Sequence, residues 1–186
     1  MDLPVLTGDA VPAASRPLLD GIATDLGFVP NMAATVAASP TLLAGFDGLR
    51  RAVADESFDP VRRETVGLAV GVAVDNAYGV AFHSMVLSAL GVDGAEIAAM
   101  RAGSEPRDTC LAAVYALARA VVLDRGAVGD DVVRRVRAAG LTPADVLQVV
   151  AECTFAGLVG TVDNLAGRVA LDPPLAAHAW TSPAAA

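Results

Sequence analysis

Two residues of this chain have the types and spacing to hold and move a proton near neutral pH: Glu64 and, nineteen positions on, His83. Histidine changes charge near neutrality, and a carboxylate bonded to one ring nitrogen fixes its tautomer and stabilises the protonated ring. If the two meet in an apolar environment, His83 serves as a general acid or base and Glu64 as its orienter. A carboxylate and a histidine bonded in a helical core also serve packing alone, and spacing does not decide between the two uses.

On a helix starting near Asn76, positions 76, 79, 80, 83 and 87 share one face, so Asn76, Gly79 and His83 line a common wall with Val80 and Leu87. On the preceding helix Glu64 shares a face with Leu68, Gly71 and Asp75. Asn76 either caps its helix, the commoner role, or aims its amide at a substrate carbonyl. Tyr78 projects from another face, as a core residue or a substrate contact. Gly79 leaves space on the wall. Arg62 and Arg63 flank Glu64, and Arg63 is a candidate to receive a substrate carboxylate; a solvated face or an intersubunit ion pair accounts for them equally well. Asn76, Tyr78, Gly79 and Arg63 are thus the substrate-binding candidates beside Glu64 and His83.

Composition removes several other chemistries. All 13 cations are arginine, which excludes a Schiff-base lysine, a lysine-anchored cofactor and a Walker-type phosphate loop. Net charge is −8 and the longest basic cluster, Arg134, Arg135 and Arg137, fits a helix C-terminus, so nucleic acid is not an expected partner. Cys110 and Cys153 lie 43 positions apart inside apolar helical patterns and read as buried, inert thiols. With His83 and His178 the only histidines and no ligand cluster, no metal is expected.

The elements that must position these residues are helical. Ser39-Pro40, Asp59-Pro60 and Thr142-Pro143 each set a capping residue before a first-turn proline, while Gly91 and Gly140 follow apolar runs as C-terminal glycines. The pattern predicts helices over 14–26, 40–54, 60–74, 76–90, 93–102, 106–123, 129–139 and 143–169. No segment alternates convincingly with period two. The apolar run Val66 to Val74 is consistent with a buried strand, but its capped start decides for a buried helix; at nine residues it is about half of the ~20 a membrane crossing needs. A 54% apolar content with 4% aromatics also favours Ala/Val/Leu helices. One all-α domain over 1–186 is expected, with a core of about 20–170. The arms 1–13 and 170–186 are extended, the C-terminal one docking through Leu171, Leu175 and Trp180, with a neighbouring subunit as one partner. Gly157, Gly160 and Asn164 share a face that fits close helix packing with a polar stitch. So apolar a chain implies a homo-oligomer, and no leader or span is read, giving a cytoplasmic protein without a membrane partner.

Glu64, then Asn76, Gly79 and His83 in this spacing, is similar to the signature of the alkylhydroperoxidase D and carboxymuconolactone decarboxylase superfamily. Its redox members carry Glu, then Cys-x-x-Cys twelve positions on, then His four after the second Cys; here Asn76 and Gly79 stand at the two cysteine positions. Leu26-Gly27-Phe28-Val29-Pro30-Asn31 with Ser39-Pro40-Thr41-Leu42-Leu43 resembles the opening segment of the longer peroxidase-related branch, and Gly140-Leu141-Thr142, Asp145 and Asn164 resemble its closing helices. The resemblance implies an all-α bundle with the two motif helices central, assembled as trimers or hexamers. A dithiol peroxidase needs its thiolates, so the substitutions argue against that activity. The decarboxylase branch works by proton transfer without a cysteine pair. The leading expectation is therefore a cofactor-independent acid/base enzyme of decarboxylase, lyase or isomerase type, acting on a small oxygenated carbon acid or lactone. Its rivals are a non-catalytic small-molecule-binding or scaffold protein, and residual redox work through Cys110 or Cys153.

Overall fold

The computed structural model describes residues 1–54 and 58–182. Among these the chain forms nine α-helices: α1 Arg16–Leu26, α2 Asn31–Val36, α3 Pro40–Val53, α4 Pro60–Ala73, α5 Ala77–Ala89, α6 Gly94–Arg101, α7 Thr109–Leu123, α8 Asp130–Ala138 and α9 Pro143–Ala166. Short 3-10 turns cover Gly8–Ala10 and Pro173–His178, and no strand occurs among the described residues. Residues 55–57 and 183–186 lie outside the described part, so the end of the expected helix 40–54 is seen and the last residues of the expected C-terminal arm are not.

The three capped prolines start helices as their chemistry requires. Ser39 accepts from Leu42 N–H at 3.2 Å, Asp59 from Arg62 N–H at 2.9 Å, and Thr142 with Asp145 closes a reciprocal capping box. Gly91 and Gly140 take the left-handed φ of +83° and +74° that ends α5 and α8. α2 was not expected: six residues beginning after Pro30 are too few to show a period, and burial of Met32, Ala33, Ala34, Thr35 and Val36 stabilises it instead.

α4 is buried on every side, Thr65 through Gly71 all lying inside, which is why its sequence carries no polar face. It packs on α5, α7 and α9, while the long α9 also packs on α3 and α5. By length and composition α9 could cross a membrane, but here it is a core helix with Val149, Cys153, Ala156 and Val159 turned inward. Two hydrophobic clusters result. One joins α4, α6, α7, α8 and the first half of α9; the other joins α1, α2, α3, the second half of α9 and the C-terminal arm. α5 contributes Val80 and Leu87 to the first, Tyr78 and Ala81 to the second.

The C-terminal arm docks on its own chain. Leu175 is buried, Arg101 Nη1 and Nη2 donate to the carbonyls of His178 and Ala179 at 3.0 and 2.6 Å, and Trp180 Nε1 donates to Arg101 O at 3.1 Å. A neighbouring subunit is not needed to hold it.

Candidate functional site

The corner between α4 and α5 sets the geometry. Asp75 adopts φ 55°, so the chain reverses within two residues and the helices run back along each other. The corner is clamped from α9: Asn164 Nδ2 donates to Val74 O at 2.8 Å, and Arg168 reaches both the carbonyl and the carboxylate of Asp75 at 2.6 and 2.8 Å. Gly160 lets α9 approach, since a Cβ there would stand 2.8 Å from Val74 Cγ2. This is the expected stitch of Gly160 and Asn164, whereas Gly157 has open space around it.

The folded-back hairpin brings Glu64 and His83 together. His83 Nδ1 lies 2.7 Å from Glu64 Oε2, and Arg63 Nε donates to the other oxygen, Oε1, at 3.0 Å. Burial alone would raise the Glu64 pKa, but the hydrogen bonds and charges of His83 and Arg63 outweigh it and hold the carboxyl below its usual range. An ionised carboxylate only accepts, so Nδ1 carries the proton in this pair, and Nε2 is the nitrogen that can act as a base when the ring is uncharged. Gly67, one turn after Glu64, makes room for the ring: a Cβ would fall 2.1 Å from Cε1 and 2.3 Å from Nε2. Sequence spacing placed Gly67 on no site, although a glycine one turn from a motif glutamate is a signal of close approach.

His83 forms part of the wall of an apolar cavity of about 130 Å³ built by α1, α2, α3, α5 and α9. Met32, Phe46, Phe82, Phe155 and Val159 supply most of the surface; Asn76, Tyr78, Gly79 and Arg50 complete it. Asn76 takes the capping role, the commoner of the two expected for it. Its Oδ1 caps α5 by accepting from Gly79 N–H at 2.8 Å, leaving Nδ2 as a donor with no acceptor among the described residues. The space at Gly79 is taken up by that carboxamide, because a Cβ would lie 2.3 Å from Asn76 Nδ2. Residues 76 and 79 therefore form one unit: with the asparagine in this pose, a cysteine at 79 does not fit. Tyr78 reaches the wall with its ring, but its hydroxyl is spent on Asp172 Oδ2. Arg63 is placed behind Glu64 rather than in the cavity wall, and the arginine of that wall is Arg50.

A second carboxyl lies close by. Glu152 on α9, one turn before the cavity residue Ala156, is buried, and the hydrogen bond seen to it is from Gln148 Nε2 at 3.3 Å. Burial pushes its pKa up to about 8; Gln148 and Arg63 pull it down, and Glu64 pushes it further up. At neutral pH it is mainly the uncharged acid beside the ionised Glu64. The sequence signal for it is its isolation, as the one acidic residue between Asp145 and Asp163. Next to it, burial and then Glu152 raise the Cys153 thiol to about 12, the opposite of a reactive cysteine. Cys110 stands half-buried in the first turn of α7.

Comparison with known proteins places this hairpin in a family context. Residues 40–122 match the carboxymuconolactone decarboxylase family. An alkylhydroperoxidase AhpD core structure, an uncharacterized peroxidase-related protein from Ralstonia eutropha JMP134, is 21% identical at a TM-score of 0.77, with 92% of each chain covered. The debrominase Bmp8 in its apo form is 16% identical at a TM-score of 0.75, with 95% of each chain covered, and a Bmp8 variant of the same likeness is bound to 2,3,4-tribromopyrrole. An uncharacterized peroxidase-related protein from Silicibacter sp. TM1040 is 16% identical at a TM-score of 0.74, covering 93% of this chain and 91% of that one. At these identities the likeness is one of fold. No curated protein sequence matches the chain.

Proposed function

We propose that this chain, which matches the carboxymuconolactone decarboxylase family over residues 40–122, shares the fold of an AhpD core structure and carries Asn76 and Gly79 at the positions where the redox members of the superfamily it resembles carry cysteines, is a cofactor-independent acid/base enzyme. Its reaction is of decarboxylase, lyase or isomerase type on a small oxygenated carbon acid. The observation that carries this reading is the 2.7 Å bond between Glu64 and His83 Nδ1 with the ring at the wall of an apolar cavity.

In this mechanism the neutral imidazole takes a proton from carbon through Nε2. Glu64 stabilises the imidazolium that forms, and Arg63 keeps Glu64 ionised. The negative charge left on the substrate moves to its carbonyl oxygen as an enolate, where the Nδ2 amide of Asn76 donates. His83 then returns the proton to a different position, or to the carbon that has lost its leaving group. Apolar walls keep water away, which strengthens each of these contacts. The high Cys153 pKa further supports a non-redox reading. The working unit is taken to be a cytoplasmic homo-oligomer, supported by the outward Leu123, Leu147 and Leu165.

The test is a panel of small cyclic ketones, lactones and enolisable phenols in D2O, followed by NMR for exchange of carbon-bound hydrogen. Wild type exchanges at least one member, and His83→Ala lowers that rate by about 10²–10⁴. Exchange that survives His83→Ala removes the assignment. Stoichiometric binding without exchange by wild type makes the chain a binding protein instead.

A further inference from the structure

The polar groups of the cavity are arranged in a way that bears on the charge of what enters. An anionic substrate has two places to seek on these walls: the guanidinium of Arg50 and the positive end of α5. Both are already taken by protein groups. Arg50 Nε and Nη2 donate to Asp47 Oδ1 at 2.9 and 2.7 Å, and Nη2 reaches Asp25 Oδ2 at 2.6 Å. Arg51 bridges the same two carboxylates at 2.9 and 3.0 Å, so two cations face two anions and the cluster carries no net charge. At the start of α5, Gly79 N–H is bonded to Asn76 Oδ1 and Tyr78 N–H is aimed at Asp163 Oδ2 at 3.4 Å. Arg63, the remaining cation near the pair, is committed to Glu64.

What stays open on the wall is one acceptor, His83 Nε2, and two donors, Asn76 Nδ2 and Arg50 Nη1, the latter on a guanidinium whose charge is already met by Asp47 and Asp25, within an apolar enclosure. Its size suits one ring: an apolar cavity of about 150 Å³ is enough for benzene. We infer that the cavity selects an uncharged single-ring compound bearing one hydroxyl or carbonyl oxygen, and rejects the carboxylated analogue. The inference rests on the reading of this cavity as the substrate site, and it narrows the proposed reaction to lyase or isomerase type, because a decarboxylase must admit a carboxylate. The physical reason is desolvation: a carboxylate entering here gives up its water and finds no unpaired cation, whereas a neutral ring loses little and keeps two hydrogen bonds.

The experiment uses the wild-type protein with phenol and benzoate, a matched pair of rings that are neutral and anionic at pH 7. Binding is read from the methyl resonance of Met32, which stands in the cavity wall. Phenol is expected to shift that resonance with an affinity at least tenfold tighter than benzoate. In Asp25→Asn, which leaves Arg50 one carboxylate short, benzoate affinity is expected to rise severalfold while phenol is unchanged. Benzoate binding as tightly as phenol to wild type, failure of both to move Met32, or no gain for benzoate in Asp25→Asn overturns the inference. The readout needs no turnover, so it fails or stands separately from the acid/base mechanism. Selective phenol binding alongside exchange that survives His83→Ala would keep the specificity and remove the chemistry.

Discussion

Two buried carboxylate clusters flank α5, and they differ in what their partners leave over. On one side Glu64 is bound by Arg63 and His83, and the imidazole opens onto a cavity. On the other, Asp163 accepts from Tyr78 N–H, Val169 N–H at 2.8 Å and Arg168 at 3.2 Å, while Asp172 accepts from the Tyr78 hydroxyl and from Asn31 N–H at 3.0 Å. That second cluster ties together the start of α5, the end of α9, the head of α2 and the C-terminal arm. Burial and the neighbouring Asp172 both push the Tyr78 hydroxyl pKa upward, so it stays a donor and does not exchange its proton near neutrality. The difference teaches that burial and a perturbed pKa do not make a site. What separates the two clusters is a ring nitrogen left without a protein partner and room beside it.

The largest effect expected from breaking this comparison lies on the closed side. Asp163→Ala leaves the Tyr78 and Val169 N–H groups without their acceptor and takes one partner from Arg168, which keeps Asp75. It is expected to cost about 3–5 kcal/mol of stability in urea unfolding, the sum for two buried donors left unpaired and one ion pair weakened. A loss under 1 kcal/mol would show that the cluster does not hold the arm and corner together.

Glu152 sharpens the open side through pH. Its folded pKa is raised from 4.5 to about 8, so the stability linked to it is fully present below pH 4.5 and is lost as pH rises through 8. Glu152→Gln, which cannot ionise, is therefore expected to match wild type near pH 4.5 and exceed it by several kcal/mol at pH 9. Unfolding curves at the two pH values check this, and an equal difference at both would refute the assignment.

Gly67→Ala acts next. The new methyl group must push the His83 ring off Glu64, at about 1–3 kcal/mol of stability. The Glu64-bonded proton on Nδ1 should then disappear from the low-field NMR spectrum, and its persistence would mean that the ring has another pose available.

The smallest effect is that of Tyr78→Phe. It removes one hydrogen bond to a buried carboxylate and is expected to cost about 1–2 kcal/mol, loosening the C-terminal arm while leaving His83 as it was. Faster amide exchange confined to residues near Leu175 would be the signature.

Much of this was legible in the sequence, for reasons particular to each residue. The capped starts at Pro40, Pro60 and Pro143 are local chemistry, and the structure realises all three. Glu64 and His83 could be paired in thought because an almost loopless hairpin leaves consecutive helices few arrangements. Arg50, Gly67 and Glu152 could not be placed, because each reaches the site from tertiary packing. Arg50 arrives on α3, and Glu152 lies 88 positions after Glu64 in an apolar stretch. Arg63 stood out by adjacency to Glu64, and adjacency is what it uses: it binds Glu64 instead of facing the cavity. The 3-10 turn over Pro173–His178 leaves no sequence signal, because a proline-rich arm has no period to read.

The central claim is that Glu64 holds the proton on Nδ1 of His83 and leaves Nε2 as the base. It is tested most directly by 15N NMR of the histidine side chains above the titration range of the ring. The account predicts that His83 shows a protonated Nδ1 and a bare Nε2, and that Glu64→Gln moves the ring toward the Nε2–H form common in free histidine. A wild-type ring already protonated on Nε2 would contradict the account, because the nitrogen without a protein partner would then be unable to take a proton.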